Sequence, residues 1–132
     1  MKLFVYGSLK RGFSNHHFLA GQEFIGDART VLRFRMFDCG GFPGVVEAGP
    51  EGSYPIQGEL WNIDATCRRR IDWLEEVDAG VYTLVGCEVD AGKGPEPAHL
   101  YVYQRALGDG QEAGTAWPKS LDTLPPSPIP WD

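Results

Sequence analysis

The first apolar run of the chain stands at its N-terminus and stops abruptly. The four residues Leu3-Phe4-Val5-Tyr6 form a short apolar stretch that predicts a buried strand. Gly7 ends this strand, and the residues up to Gly12 are typical of a loop. Because glycine adopts a left-handed backbone without steric cost, we expect Gly7 and Gly12 to turn the chain tightly. Such a turn either simply ends a strand or gathers backbone N–H groups into an anion site.

If the turn is a binding site, its composition favours an anionic ligand. Ser8 adds a hydroxyl group, and Lys10 and Arg11 add positive potential. Together with the N–H groups of the turn, these side chains predict a pocket for a carboxylate or a phosphate.

Alternation of apolar and polar residues predicts the other strands. Between Gln22 and Arg35 the alternation is loose and indicates one or two strands, with a bulge or bend at Gly26-Asp27. Residues 36–44 form a glycine-rich turn before a short extended piece at Val45-Val46, and Phe42-Pro43-Gly44 either lines a pocket or only turns the chain. The clearest strands are Gln57 to Ile63, Tyr82 to Val89 and His99 to Arg105, with turns at 78–80 and 91–97 and a loop at 108–114.

A helix is predicted from Ala65 to about Val77, with Asp64 as its N-cap. Helical periodicity places a buried stripe on one side of it and Glu75 at the edge of that stripe. A carboxylate on the apolar side is costly unless it is satisfied or protonated, and its pKa tends to rise. The alternative is a boundary side chain that reaches out to water. The stripe consists of Cys67, Ile71 and Leu74. The residues Arg68, Arg69, Asp72 and Glu76 lie away from it, with Glu76 on the opposite, solvated side.

Composition narrows the class of protein. With 132 residues the chain is expected to form one domain, 1–132, and its 17 Gly and 10 Pro indicate many turns in a compact, strand-rich fold. A net charge of −6 argues against nucleic acid as a partner. No apolar run approaches the ~20 residues that span a bilayer. We expect no signal peptide at the N-terminus, because Tyr6-Gly7 cuts the apolar run short.

Cysteine and histidine usage predicts no metal site. Three widely spaced cysteines, in no paired motif, indicate reduced structural thiols in a cytoplasmic protein. His16 and His17 lie in a short helical turn that Ser14 or Asn15 caps and Gly21 ends, and neighbours on a helix point apart. The proline-rich tail, about 115–132, is expected to pack over the body through Trp117, Leu121, Leu124, Ile129 and Trp131.

Three motifs in order resemble the gamma-glutamyl cyclotransferase-like, or AIG2-like, family. They are Val5-Tyr6-Gly7-Ser8-Leu9-Lys10-Arg11-Gly12, the strand Gly58-Glu59-Leu60-Trp61, and Ile71-Asp72-Trp73-Leu74-Glu75 followed by Tyr82. The resemblance covers about residues 1–105. Ile71 replaces the usual leucine, and Tyr82 lies one residue further from Glu75 than the family pattern.

The resemblance implies an α+β fold, a small mixed, twisted and partly closed sheet of about six strands with helices packed on it. It also implies release of 5-oxoproline and a free amine from a gamma-glutamyl amine or amino acid, without a metal or organic cofactor. In that chemistry Glu75 is the general acid and base. Tyr6, Gly7, Ser8 and Leu9 hold the substrate, and Tyr82 orients Glu75 or the substrate.

Two other functions stay open at this stage. One is a non-catalytic module that keeps the pocket and binds a small molecule. The other is a hydrolase of small amides or esters, which the chain supports less because no Ser-His-Asp order accompanies a strand-helix elbow. The sequence makes no prediction about the leaving amine or the oligomeric state.

Overall fold

The computed structural model describes residues 1–107 and 110–118, and its sheet has eight strands within that part of the chain. Beside the sheet lie one α-helix, α1 (Ala65–Leu74), and a 3₁₀ helix (His16–Leu19). None of the described helices has the length and apolarity that crossing a membrane requires. The strands are β1 (Lys2–Val5), β2 (Glu23–Thr30), β3 (Phe34–Asp38), β4 (Pro43–Glu47), β5 (Gln57–Asn62), β6 (Tyr82–Asp90), β7 (Pro95–Tyr103) and β8 (Gln111–Glu112).

Five of the strands close into a barrel. They follow the order β1-β5-β2-β6-β7, and β7 returns to β1 through a parallel pairing of Leu3 with His99. Strands β4, β3 and β8 continue the sheet outward from β7. The α+β fold with a partly closed mixed sheet is therefore confirmed, with β1 enclosed between two neighbours. The chain leaves β1 at Tyr6, between β5 and β7 rather than at a free edge.

The side chains on the two faces of β1 pack into two separate apolar cores, because successive side chains along a strand point to opposite faces. Phe4 packs inside the barrel with Leu60 and Leu100. Leu3 and Val5 point the other way, into a cluster that α1 covers. The β1 backbone is thereby fixed from both sides, which gives the loop that comes after it a rigid origin.

Helix α1 begins as predicted and ends sooner. The Asp64 carboxylate accepts a hydrogen bond of 2.8 Å from the Cys67 N–H, which makes it the N-cap. The helix stops at Leu74 rather than near Val77, because Glu76 has a left-handed backbone with φ of 52°. Glu75 becomes the C-cap residue.

Strand bounds differ from the predictions where aspartates cap tight turns. β3 extends to Asp38, within the predicted glycine-rich turn, because the Asp38 carboxylate accepts the N–H groups of Gly40 and Gly41 and shortens the hairpin. In the same way Asp90 accepts the N–H groups at 92 and 94, so that β7 already begins at Pro95. β2 has a bulge, but it lies between Phe24 and Gly26 rather than at the predicted Gly26-Asp27, which pair in regular register with β5. β8 lies in the stretch predicted as a loop, 108–114.

The beginning of the proline-rich tail packs as expected. Trp117 is 4% exposed and belongs to the barrel core. The tail residues Leu121, Leu124, Ile129 and Trp131 lie outside the described residues, so their packing stays a prediction.

The barrel depends on the absence of a side chain at Gly58. A Cβ atom at this position would lie 2.3 Å from the Val5 carbonyl oxygen and 2.6 Å from the Phe4 ring. We expect Gly58→Ala to lower the free energy of unfolding by about 2 kcal/mol or more, since β1 must move to make room. Gly86→Ala is the matched control in β6, where a Cβ atom meets nothing within 4 Å.

Urea or thermal unfolding of both variants checks this prediction. Equal stability of the two variants would contradict the close approach of β5 to β1.

Candidate active site

Hydrogen bonds inside the loop after β1 fix its shape. The Lys10 N–H donates to the Gly7 carbonyl at 3.1 Å and closes a turn. The Arg11 N–H donates to the Glu59 carboxylate at 3.1 Å, and the Arg11 side chain donates to the same carboxylate at 3.0 Å. Glu59 is only 7% exposed, and the Trp61 indole also donates to it. This buried carboxylate on β5 ties the end of the loop to the barrel.

The 3₁₀ helix holds the middle of the loop. The Asn15 side chain donates to the Ser8 hydroxyl at 2.9 Å, and the Asn15 N–H donates to the Ser8 carbonyl at 3.0 Å. The His16 ring lies 3.0 Å from the Leu9 carbonyl through Nδ1, which identifies Nδ1 as the protonated nitrogen in this contact. Contrary to the prediction, the Asn15 side chain fixes Ser8 and does not cap the helical turn.

These contacts leave two buried N–H groups of the loop unused. Among the described residues, no acceptor takes the N–H of Ser8 or of Leu9. Both residues are 5% exposed. Buried backbone N–H groups without a partner are rare in proteins, because each one costs the free energy of a lost hydrogen bond. Two adjacent ones lining a cavity are suited to an oxygen of a bound ligand.

Gly7 is required for space and not for a left-handed backbone. Its φ lies outside the left-handed region, contrary to our expectation, whereas Gly12 has a φ of 86° as predicted. A Cβ atom on Gly7 would approach the Pro43 ring to 2.8 Å. The loop thus packs directly against β4, and Pro43 becomes one wall of the site.

The two basic residues of the loop do not add their charge to the cavity. The Lys10 ammonium group donates to the Trp117 carbonyl, and burial lowers the pKa of Lys10. The Arg11 guanidinium group pairs with Glu59 and Asp27, each at 3.0 Å, and lies over the Phe24 ring. The expected positive potential is therefore used to anchor the loop, and its N–H groups remain as the anion-binding element.

Glu75 and the loop line the same cavity. Helix α1 places Glu75 at its C-terminal end, half-buried, while the neighbouring Glu76 is exposed. The cavity has a volume of ≈ 30 Å³, room for about two water molecules. The lining residues are Phe4, Val5, Tyr6, Gly7, Ser8, Leu9, Pro43, Glu75, Tyr82 and Tyr101.

Three tyrosines surround the Glu75 carboxylate. Burial raises the pKa of Tyr6, and the negative charge of Glu75 raises it further. Burial is also the largest cause of the raised pKa of Tyr82 and of Tyr101, and Glu75 contributes to both. All three phenols consequently stay protonated over the range in which the protein works, and each can donate only one hydrogen bond.

The Tyr82 hydroxyl donates its proton to the Pro43 carbonyl at 2.6 Å. Tyr82 thus lines the cavity as predicted, and in this arrangement it offers Glu75 or a substrate an oxygen that accepts hydrogen bonds. Its predicted orienting role stays a prediction.

The described residues contain no group of three or more histidine, cysteine or carboxylate side chains that could hold a metal ion. The three cysteines are free thiols. Cys39 and Cys87 stand out because burial raises the pKa of each to about 11. Cys39 lies near enough to the site that its charge would raise the pKa of Tyr6 and of Tyr82.

Comparison with known proteins identifies the family. A family model described as "Gamma-glutamyl cyclotransferase, AIG2-like" matches residues 3–119. The chain belongs to this family. A protein of Methanocaldococcus jannaschii, provisionally named a gamma-glutamylcyclotransferase, is 38% identical over 114 residues, which are 85% of this chain and 92% of that protein.

A second relative in sequence and one solved structure are also similar to this chain. The gamma-glutamylcyclotransferase family protein YtfP of Escherichia coli K12 is 30% identical over 107 residues, 81% of this chain and 86% of its own length. A crystal structure of an AIG2-like protein from Mus musculus has a TM-score of 0.71 at 24% identity, with 80% of this chain and 78% of that chain covered. At this identity the mouse structure shows the common fold alone.

The sequence did not reveal three residues of this AIG2-like site. Tyr101 lines the cavity, and Asn15 and Glu59 hold the loop. The burial of Glu59 could have been suspected from the sequence, since this residue alternates with apolar residues on a strand that closes the barrel. The role of Asn15 could not be predicted in this way, because a polar residue before a helical turn is explained by capping alone.

The raised pKa of Cys39 leads to a testable expectation. Since the thiolate is the reactive form, alkylation of Cys39 in the folded protein should be slow near neutral pH and rise about tenfold per pH unit, up to about pH 10. Mass spectrometry after timed exposure to iodoacetamide measures this rate, with the unfolded protein as reference. A rate that levels off near pH 8.5, the ordinary value of a free thiol, would contradict it.

Proposed function

We propose that this protein is a cyclotransferase that releases 5-oxoproline and a free amine from a gamma-glutamyl amine or amino acid. The observation that carries the proposal is the composition of one cavity. Ser8 and Leu9, whose N–H groups have no acceptor among the described residues, line it together with the carboxylate-bearing residue Glu75. Membership of the gamma-glutamyl cyclotransferase, AIG2-like family agrees with this chemistry.

The reaction is intramolecular, so the protein must mainly fold the substrate and move a proton. The N–H groups of Ser8 and Leu9 bind the substrate α-carboxylate, or the oxyanion that develops on the γ-carbonyl. Holding the α-amine close to the γ-carbon supplies several kcal/mol of the barrier reduction.

Glu75 carries the proton through the reaction. It accepts a proton from the substrate ammonium group, and the free amine then attacks the γ-carbon. A tetrahedral intermediate forms, the bond between the γ-carbon and the leaving nitrogen breaks, and Glu75 returns the proton to that nitrogen. The attacking nitrogen also loses its second proton, which the leaving amine takes up. The products are 5-oxoproline and the amine in its ammonium form, and the carboxylate of Glu75 is regenerated.

The second candidate is a binding module that keeps the cavity without turnover. The N–H groups of Ser8 and Leu9 support this alternative as well, because binding an anionic group requires no proton transfer. Binding of 5-oxoproline without product from any gamma-glutamyl amide would decide for it. A hydrolase would instead release glutamate that carries oxygen from labelled water.

Exchange of Glu75 for glutamine tests the proposed role of the carboxylate. Glu75→Gln keeps the shape of the side chain and removes the proton acceptor, so we expect 5-oxoproline release to fall by a factor of about 10² to 10⁴. Chromatography of reactions with a panel of gamma-glutamyl amides measures the rate, and the fastest wild-type substrate is used for the variants.

Glu76→Gln is the matched control. It is the adjacent residue with the same charge change, but its side chain is exposed, so it should retain the wild-type rate. Thermal unfolding shows whether both variants are folded. Full turnover in a folded Glu75→Gln variant would remove Glu75 from the mechanism.

A further inference from the structure

All three tyrosine hydroxyls around the cavity donate their protons to other protein atoms. Tyr6 donates to the Tyr101 carbonyl at 2.7 Å and accepts from the Val45 N–H at 3.3 Å. Tyr82 donates to the Pro43 carbonyl at 2.6 Å. Since a phenol has a single proton, each of these oxygens has only acceptor capacity left for a ligand. The side of the cavity that these tyrosines form therefore offers a ligand hydrogen-bond acceptors and no donors.

Tyr101 differs from the other two in the group that takes its proton. Its hydroxyl donates to the Asp72 carboxylate at 2.6 Å, a charge-assisted hydrogen bond. Asp72 lies on α1 one turn before Glu75, and its side chain is 28% exposed. The other partner of Asp72 is Arg68, whose guanidinium group lies 3.5 Å away. Asp72 is absent from the cavity lining, so it reaches the cavity only through Tyr101.

We propose that Asp72 is a positioning residue that, by holding the Tyr101 proton, presents the Tyr101 oxygen to the cavity as an acceptor for the ammonium group of the substrate. This inference rests on the proposed function, because it assigns the ammonium end of a gamma-glutamyl substrate to that side of the cavity. The N–H groups of Ser8 and Leu9 then hold the carboxylate end. The cavity thus presents donors to the negative group of an amino acid and acceptors to the positive one.

Without Asp72 the Tyr101 proton has another carboxylate nearby. The charge of Glu75 acts on the Tyr101 hydroxyl. A released proton would turn towards Glu75, occupy one of its oxygens and oppose a bound ammonium group. By holding the Tyr101 proton, Asp72 therefore leaves both Tyr101 and Glu75 as hydrogen-bond acceptors for the ammonium group.

A purely structural clamp between α1 and β7 is the competing explanation, and two ligands separate it from the proposal. L-glutamine is the simplest gamma-glutamyl amide, and glutaramic acid is the same molecule with hydrogen in place of the ammonium group. We expect Tyr101→Phe and Asp72→Ala each to weaken L-glutamine binding about tenfold, the effect of one hydrogen bond to a charged group. Binding of glutaramic acid should stay within about twofold of wild type.

Isothermal titration of the full chain with both ligands measures these affinities. The double variant should bind L-glutamine no more weakly than Tyr101→Phe alone, because Asp72 acts through Tyr101. Asp72→Asn keeps an acceptor oxygen and should restore most of the affinity. Arg68→Gln removes the other partner of Asp72 and should leave both affinities unchanged.

Three outcomes would overturn the inference. They are equal weakening of both ligands, additive losses in the double variant, and unchanged L-glutamine binding in a folded Tyr101→Phe variant. The proposed function is judged separately by 5-oxoproline release, so an inactive protein that shows the ammonium-specific loss would contradict the function and support the positioning role. Failure of wild type to bind either ligand would also contradict the inference, while the proposed function is still decided by 5-oxoproline release from the wider panel of gamma-glutamyl amides.

Discussion

Two residues that do not line the cavity, Glu59 and Asn15, hold the loop from Gly7 to Arg11. Glu59 and Asn15 take up the groups that point away from the cavity, and the turn closes on its own Gly7 carbonyl. The groups that remain for the inside are the N–H groups of Ser8 and Leu9. A buried N–H group that is fixed by its surroundings cannot turn to water or to another acceptor, so its full strength is available to a ligand. The rest of the site depends on this rigidity.

Pairing on both sides within the barrel fixes the start of the loop, although β1 is a short strand. Strand β1 is only Lys2–Val5, yet it pairs with β5 on one side and with β7 on the other. Glycine at 58 lets the two backbones approach, and Glu59 beside it anchors the loop. The motif Gly-Glu in β5 therefore has a physical explanation. Its first residue admits β1, and its second holds the loop that leaves β1.

Much of the fold could be predicted from local chemistry. The apolar run at 3–6, the Asp64 cap and the alternation in β5 each depend on a few neighbouring residues, and the structure confirms them. The end of α1 was predicted too late, because no glycine or proline marks it and Glu76 adopts a left-handed backbone without such a signal. The early start of β7 escaped prediction because prolines usually interrupt strands.

The candidate site could be predicted only in part, because some of its residues meet through contacts between distant parts of the chain. Glu75 and the loop residues belong to compact motifs, and they line one cavity as the resemblance implied. Tyr101 and Asp72 belong to the same site through a contact between β7 and α1, 29 residues apart in sequence. No local pattern encodes such a pairing. The sequence likewise did not predict the partners of Lys10 and Arg11, since these partners, Trp117 and Glu59, are distant in the chain.

In the proposed function, the N–H groups of Ser8 and Leu9 bind an oxygen of a glutamyl-type ligand in the cavity that Glu75 also lines. The amide spectrum of ¹⁵N-labelled protein during titration with 5-oxoproline tests this binding. We expect the Ser8 and Leu9 amide signals to move downfield together and to saturate at one ligand per protein, as hydrogen bonds to an anion form. Saturable binding that leaves these two signals unmoved, while signals elsewhere shift, would contradict the proposed role of the two N–H groups.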